Sequence, residues 1–173
     1  MENSTPGTMS LEEIKALLTA KFGEDVVVGE EIGGLQPALL IAPERIGEVC
    51  LELRDNPATY FDFLSSLTGV DYGVTAGRFG VVYHLASIPF QTQLTLKISK
   101  EHGRDLTTLP HFPSITSVYG AADWHEREAF ELIGIYFEGH PDLRKLLLPD
   151  DWEGYPLRKD YHNAEYYKGI KID

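Results

Sequence analysis

Apolar positions repeat at helical spacing near the start of the chain, where Leu11, Ile14, Leu17, Leu18 and Phe22 fall on one face. Ser10-Leu11-Glu12-Glu13 has the spacing of a capping box, and Gly23 ends the pattern, which predicts a first helix. Two short β-rich runs, Glu24–Glu31 and Pro37–Ala42, flank Gly33-Gly34 and predict a hairpin. Pro43 then suits a first helical position. Ile46, Val49, Cys50 and Leu53 make one apolar face, and Asn56-Pro57 closes this second helix.

From Tyr60 to Tyr72 the pattern is ambiguous, because Leu64, Leu67 and Val70 suit a helix while the aromatic content suits a strand. Beyond it Phe79, Val81, Tyr83 and Leu85 alternate. Leu94, Leu96 and Ile98 then point one way while Gln93, Thr95 and Lys97 point the other, as in a strand with one wet face. A third helix is predicted from about Asp123 to Ile133, with Asp123 and Glu126 at capping-box spacing and Gly134 as its stop. The order helix, two strands, helix, about three strands predicts an α+β two-layer sandwich with a mixed sheet, followed by a C-terminal helix and an extended irregular tail.

The tail departs from the body. From Glu138 onward there is no sustained period, yet the segment keeps Leu146-Leu147-Leu148, Trp152, Tyr155, Tyr161, Tyr166 and Tyr167. It holds six of the chain's 15 basic residues but only eight of its 27 acidic ones, so the acidity resides in the body. A near-neutral aromatic segment of this kind lies on a surface, either its own body or another subunit. The predicted organisation is a disordered N-terminus over 1–9, an α+β body over 10–137, and a tail over 138–173 that packs on a partner.

Charge and cysteine content narrow the function. A net charge of −12 repels phosphate backbones and anionic lipids. The single cysteine, Cys50, rules out an internal disulfide and any four-thiolate cluster built from this chain alone, and its place on the apolar face of the second helix reads as a small buried hydrophobe. No apolar run reaches membrane-spanning length, which predicts a soluble, cytoplasmic chain.

Few catalytic constellations survive inspection. His125-Glu126-Arg127-Glu128 opens like the zinc-protease pattern, but position 129 is Ala where a second His is required. His84, His102, His111, His125, His140 and His162 stand singly, and structural roles outweigh metal ligation for each. There is no phosphate-binding glycine loop and no nucleophile elbow. Glu126, Glu128 and Glu131 remain as acid/base candidates, with Arg127 tuning them. On a helix Glu126 shares the apolar stripe of Ala129, Phe130 and Ile133, whereas Glu128 and Glu131 sit together on another face. A carboxylate on a buried stripe needs a partner, and the tail offers Arg144 and Arg158. An ion pair fastening tail to body is therefore preferred over contact with another subunit, and both over catalysis.

The run Ala122-Asp123-Trp124-His125-Glu126-Arg127-Glu128-Ala129-Phe130-Glu131-Leu132-Ile133-Gly134-Ile135 is followed by Phe137-Glu138-Gly139-His140-Pro141-Asp142-Leu143-Arg144-Lys145-Leu146-Leu147. Then comes Asp151-Trp152-Glu153-Gly154-Tyr155-Pro156-Leu157-Arg158-Lys159-Asp160-Tyr161. Together they resemble the signature of the NuoC family, the 30 kDa subunit of respiratory complex I, the proton-pumping NADH:quinone oxidoreductase. The tail is also similar to the NdhJ branch of photosynthetic complex I. One departure is Glu131, where the family more often carries Asp; the charge is kept. Over residues 1–110 the resemblance is one of pattern only.

The resemblance implies an α+β subunit of the peripheral arm with no cofactor of its own, the iron–sulfur clusters, a possible flavin and the quinone belonging to partner subunits. Its C-terminal segment would wrap the quinone-site NuoD-type (49 kDa) subunit, a relative of the nickel–iron hydrogenase large subunit, close to neighbouring iron–sulfur subunits. It would meet the membrane only through those partners, on the cytoplasmic face of the inner membrane or the thylakoid equivalent, with no nucleic acid involved. The residues carried over as structural or partner-binding are Glu126, Arg127, Glu128, Gly139, His140, Pro141, Asp142, Arg144, Pro156, Arg158, Lys159 and Asp160; none is carried over as catalytic. Two alternatives stand beside this reading. One is the equivalent subunit of a membrane-bound energy-converting nickel–iron hydrogenase, and the other is a stand-alone acid/base enzyme using Glu126 and Glu128.

Overall fold

The structure, a computed structural model, describes residues 9–33, 36–163 and 165–171. Residues 1–8 of the expected disordered N-terminus, and Gly34 of the expected hairpin turn, lie outside the described residues.

Helix α1 (Leu11–Phe22) begins at a complete capping box, in which the Ser10 hydroxyl accepts from the Glu13 amide and the Glu13 carboxylate accepts from the Ser10 amide. Strands β1 (Val27–Glu31) and β2 (Ala38–Ile41) pair antiparallel. Pro43 opens a single 3-10 turn that leads into α2 (Ile46–Asp55), whose apolar face is Ile46, Val49, Cys50 and Leu53. The ambiguous segment is a strand, β3 (Phe63–Asp71); a bulge between Leu64 and Ser66 shifts its alternation, so that Leu64 and Leu67, three apart, both point inward. That shift mimics a helical interval in the sequence.

β4 (Arg78–Ser87) and β5 (Thr92–Glu101) form a long hairpin. β2 joins β5 in parallel, giving one five-stranded mixed sheet in the order β1-β2-β5-β4-β3. Phe79, Val81, Tyr83 and Leu85 of β4 face a single core cluster shared with Ile14 and Leu18 of α1 and Val49 and Leu53 of α2. The alternate positions Val82, His84 and Ala86 form the half-exposed opposite face. The architecture is the expected α+β two-layer sandwich.

β6 (His111–Pro113) and β7 (Tyr136–Glu138) make a small parallel pair that brackets α3 (Ala122–Ile133). α3 packs on β3 at the sheet edge, where Gly69 permits the approach: a Cβ there would stand 3.0 Å from that of Ala129 and 3.1 Å from Cδ1 of Ile135. The predicted capping box at Asp123 and Glu126 does not form. The N-cap is Ala121 and has no side-chain cap, because turns through Tyr119 and Gly120 lead the chain into the helix earlier than the sequence spacing suggests. The predicted stop does form, with Gly134 left-handed at φ +75°. The tail ends in a two-stranded turn of β8 (Tyr166–Tyr167) and β9 (Ile170–Lys171).

Candidate functional site

α3 divides into three faces. Ala122, Glu126, Ala129 and Ile133 face the core, Trp124 and Glu128 are exposed, and Asp123, Arg127 and Glu131, spaced by four, form a stripe that receives the tail. Glu131 therefore does not sit with Glu128 on one face as expected; its side of the helix is covered by the tail, and Glu128 looks outward over a shallow cleft beside His125 and Leu132.

The tail meets this stripe residue after residue in chain order. Gly139, at φ +83°, turns the chain after β7. The His140 ring, its side chain fully buried, then donates from Nε2 to the Asp123 carbonyl at 3.2 Å, while its Nδ1 accepts the Asp142 amide at 3.0 Å. Next, Arg127 Nε donates to the Arg144 carbonyl at 3.2 Å. One turn further along the helix, the Glu131 carboxylate accepts from the amides of Leu146, Leu147 and Leu148 at 2.8 to 3.1 Å. Three amides that would otherwise lack partners are thus satisfied by one ion, a strong arrangement for an irregular segment. Lys145 holds the following bend, its ammonium donating to the carbonyls of Pro149, Asp150 and Trp152.

At the far end of α3 the Leu157 amide donates to the Leu132 carbonyl at 2.8 Å. Buried Arg158 donates to the carbonyls of Ile133, at 2.7 Å, and Gly134, at 3.3 Å, and its guanidinium lies over the rings of Phe79 and Tyr155. A cation on the last carbonyls of a helix opposes the negative end of the helix dipole. Burial pulls the Arg158 guanidinium below its ordinary value. The Lys159 amide donates to Asp71 Oδ2 at 2.7 Å, and Arg104 bridges Asp71 to Asp160, with Nε 2.6 Å from Asp160 Oδ2 and Nη1 2.9 Å from Asp71 Oδ1. Burial opposes ionisation of Asp71, but Arg104 and the amides of Lys159 and Gly73 outweigh it and hold its carboxyl down at about 2.

Glu126 is the exception. It lies on the buried stripe as expected and has no exposure, but neither Arg144 nor Arg158 reaches it. Arg144 is exposed and pairs with Asp142, and Arg158 sits at the other end of the helix. Glu126 Oε1 instead accepts the Ile115 amide at 2.8 Å, while Oε2 has no hydrogen-bond partner among the described residues. Burial pushes its carboxyl up to about 7, against the smaller opposing effects of Ser114 and the Ile115 amide. Buried Cys50 is near enough that Glu126, after burial itself, raises the thiol well above its usual range. With Glu126 sealed in the core and Glu128 on the surface, the two do not share a site for acid/base chemistry.

Of the remaining predicted residues, Pro141, Asp142 and Lys159 are exposed, and Pro156 is half-buried in the turn before Arg158. The sequence reading did not anticipate Asp71, Arg104, the Asp123 carbonyl or the role of Glu131. The signal for Asp71 was weak but present: it is the one charged residue of β3 and closes the strand. Among the described residues no three of His, Cys, Asp and Glu come together in a way that could hold a metal ion, and no helix is long and apolar enough to cross a membrane.

Residues 39–167 match the family model described as respiratory-chain NADH dehydrogenase, 30 Kd subunit. A curated relative from Salinispora arenicola, named as a subunit of NADH-quinone oxidoreductase, is 51% identical over 140 residues, covering 78% of this chain and 54% of the relative. The protein of the same name from Chlorobium phaeobacteroides is 34% identical over 170 residues, covering 93% of this chain and 98% of the relative. The chain thus spans about half the length of the first of these relatives and nearly all of the second. Among solved structures, one titled as the membrane-bound sulfane sulfur reductase, an archaeal respiratory membrane complex, contains a chain with the same fold, at TM-score 0.69 and 24% identity over 87% of this chain and 85% of that one. The chain belongs to the family of the 30 Kd subunit of respiratory-chain NADH dehydrogenase.

Proposed function

We propose that this chain is a non-catalytic assembly subunit of an NADH-quinone oxidoreductase, placed in the peripheral arm, and that its tail holds the quinone-site NuoD-type subunit. The names of its relatives support the complex. The observation that carries the role is the strap of contacts from His140 to Asp160 along α3, in which Arg127, Glu131, Lys145 and Arg158 are engaged in holding the chain's own backbone.

The strap fixes the tail's backbone while leaving the side chains of Leu147 and Leu157 exposed, as is Trp124 in the first turn of α3. Ordered backbone with exposed apolar side chains is what a partner surface can bind without a further ordering cost. Gly139, Pro141, Asp142, Pro156 and Lys159 line the outer side of the same segment and serve as its partner contacts. In this reading the iron–sulfur clusters, any flavin and the quinone reside in neighbouring subunits, and the chain is peripheral to the membrane on its cytoplasmic side.

Mass spectrometry of the detergent-solubilised assembly that co-purifies with the tagged chain tests this. The expected set contains a 49 kDa-type subunit and iron–sulfur subunits of an NADH-quinone oxidoreductase. A nickel–iron hydrogenase large subunit with its maturation partners, or the chain purifying alone, would overturn it.

A further inference from the structure

The tail carries a cavity of about 480 Å³ that the strap does not use. Its lining includes the aromatic residues Trp152, Tyr161, Tyr166 and Tyr167, the acidic Asp151 and Glu153, and the basic Lys168. The Trp152 and Tyr167 rings stand 5.6 Å apart at 48°, and the Tyr167 hydroxyl donates to Asp151 Oδ1 at 3.1 Å, so the wall is braced by its own members. Aromatic faces and carboxylates present negative potential together, and that combination selects a cation carried on a hydrophobic stem.

A further observation points to the same ligand. The chain's own Lys168 leans into this environment: its ammonium lies 5.3 Å from the centre of the Tyr167 ring and 3.6 Å from Asp151 Oδ2, yet its side chain remains mostly exposed.

We propose that this cavity is a docking pocket for an arginine or lysine side chain on an extended segment of another polypeptide, received between its aromatic rings and the carboxylates of Asp151 and Glu153. The proposal rests on the reading of the chain as an assembly subunit and names the chemistry its partner supplies. A basic residue entering the pocket takes over the Asp151 carboxylate that Lys168 now holds.

The test uses the isolated full chain and three probe peptides, acetyl-Gly-Arg-Gly-amide, its citrulline counterpart and its glutamate counterpart. The chain's two tryptophans give two indole N–H resonances, assigned by Trp124→Phe. The arginine peptide is expected to shift the Trp152 resonance saturably, at least about tenfold more tightly than citrulline, and with weakening at high salt. The Asp151→Asn/Glu153→Gln double variant is expected to lose about the same factor. Equal response to arginine, citrulline and glutamate, or no saturable shift of Trp152, would overturn the pocket; because the peptide comparison is made on the unaltered chain, it stands even if the double variant misfolds. Failure here would leave the co-purification result untouched, so the two proposals are separable.

Discussion

Both carboxylate oxygens of Glu131 accept the amide of Leu147, at 2.9 and 3.0 Å, and this pairing anchors the irregular tail to the last turn of α3. The neighbouring amides of Leu146 and Leu148 converge on the same group. Glu131→Ala would leave three amides without an acceptor, a loss of about 2–4 kcal/mol concentrated in the tail. Hydrogen exchange at residues 146–148 should accelerate strongly while exchange in the β4–β5 hairpin is unchanged. Uniform acceleration across the domain would show that the tail is not a separately anchored unit.

Stability should fall as pH rises from about 4.5 to about 7, because Glu126 binds its proton more tightly folded than unfolded. Its contribution is fully present below the unfolded value and is lost as pH passes through the folded one, about 3 kcal/mol in all. Asp71 acts in the opposite sense. Its carboxyl is held down at about 2, so the stability it contributes is present above its ordinary value of 3.8 and is lost as pH falls toward 2. Urea denaturation across pH should show the neutral-side slope flattened in Glu126→Gln and the acid-side slope reduced in Asp71→Asn. A Glu126→Gln profile identical to that of the unaltered chain would contradict the assignment.

Gly134 is required twice over, by its left-handed backbone and by its neighbours, since a Cβ there would stand 2.7 Å from both Arg158 Nη2 and the Tyr155 ring. Gly134→Ala should cost about 1–3 kcal/mol and displace Arg158 from the end of α3. Thermal denaturation reports the first effect, and faster exchange of the Leu157 amide reports the second.

The sandwich was largely legible in the sequence because its signals are local. Alternation along Phe79–Leu85 and Leu94–Ile98, the capping box at Ser10 and the stop at Gly134 each state an element within a few residues. β3 was obscured by its bulge, which breaks the period-2 pattern that would have named it. At the candidate site, helical periodicity found Glu126 on the buried stripe but could not name its partner. That partner, the Ile115 amide, comes from the short loop after β6, and nothing in the spacing announces it. Glu131 was missed for the opposite reason. Periodicity put it outside the core, and only the return of an aperiodic tail along the Asp123-Arg127-Glu131 stripe covers it.

The central proposal is that Glu126, Arg127 and Glu131 of α3 hold the chain's own backbone together and take no part in turnover. The direct measurement is activity per assembled complex, with assembly quantified on native gels, for Glu131→Ala and Glu126→Gln. Glu131→Ala should lower the amount of assembled complex while each complex that forms turns over normally. Glu126→Gln, nearly isosteric and still able to accept the Ile115 amide, should leave both quantities within about twofold of the original. A fully assembled Glu126→Gln complex slowed by about 10²–10⁴, the loss expected for a general acid or base, would contradict the account.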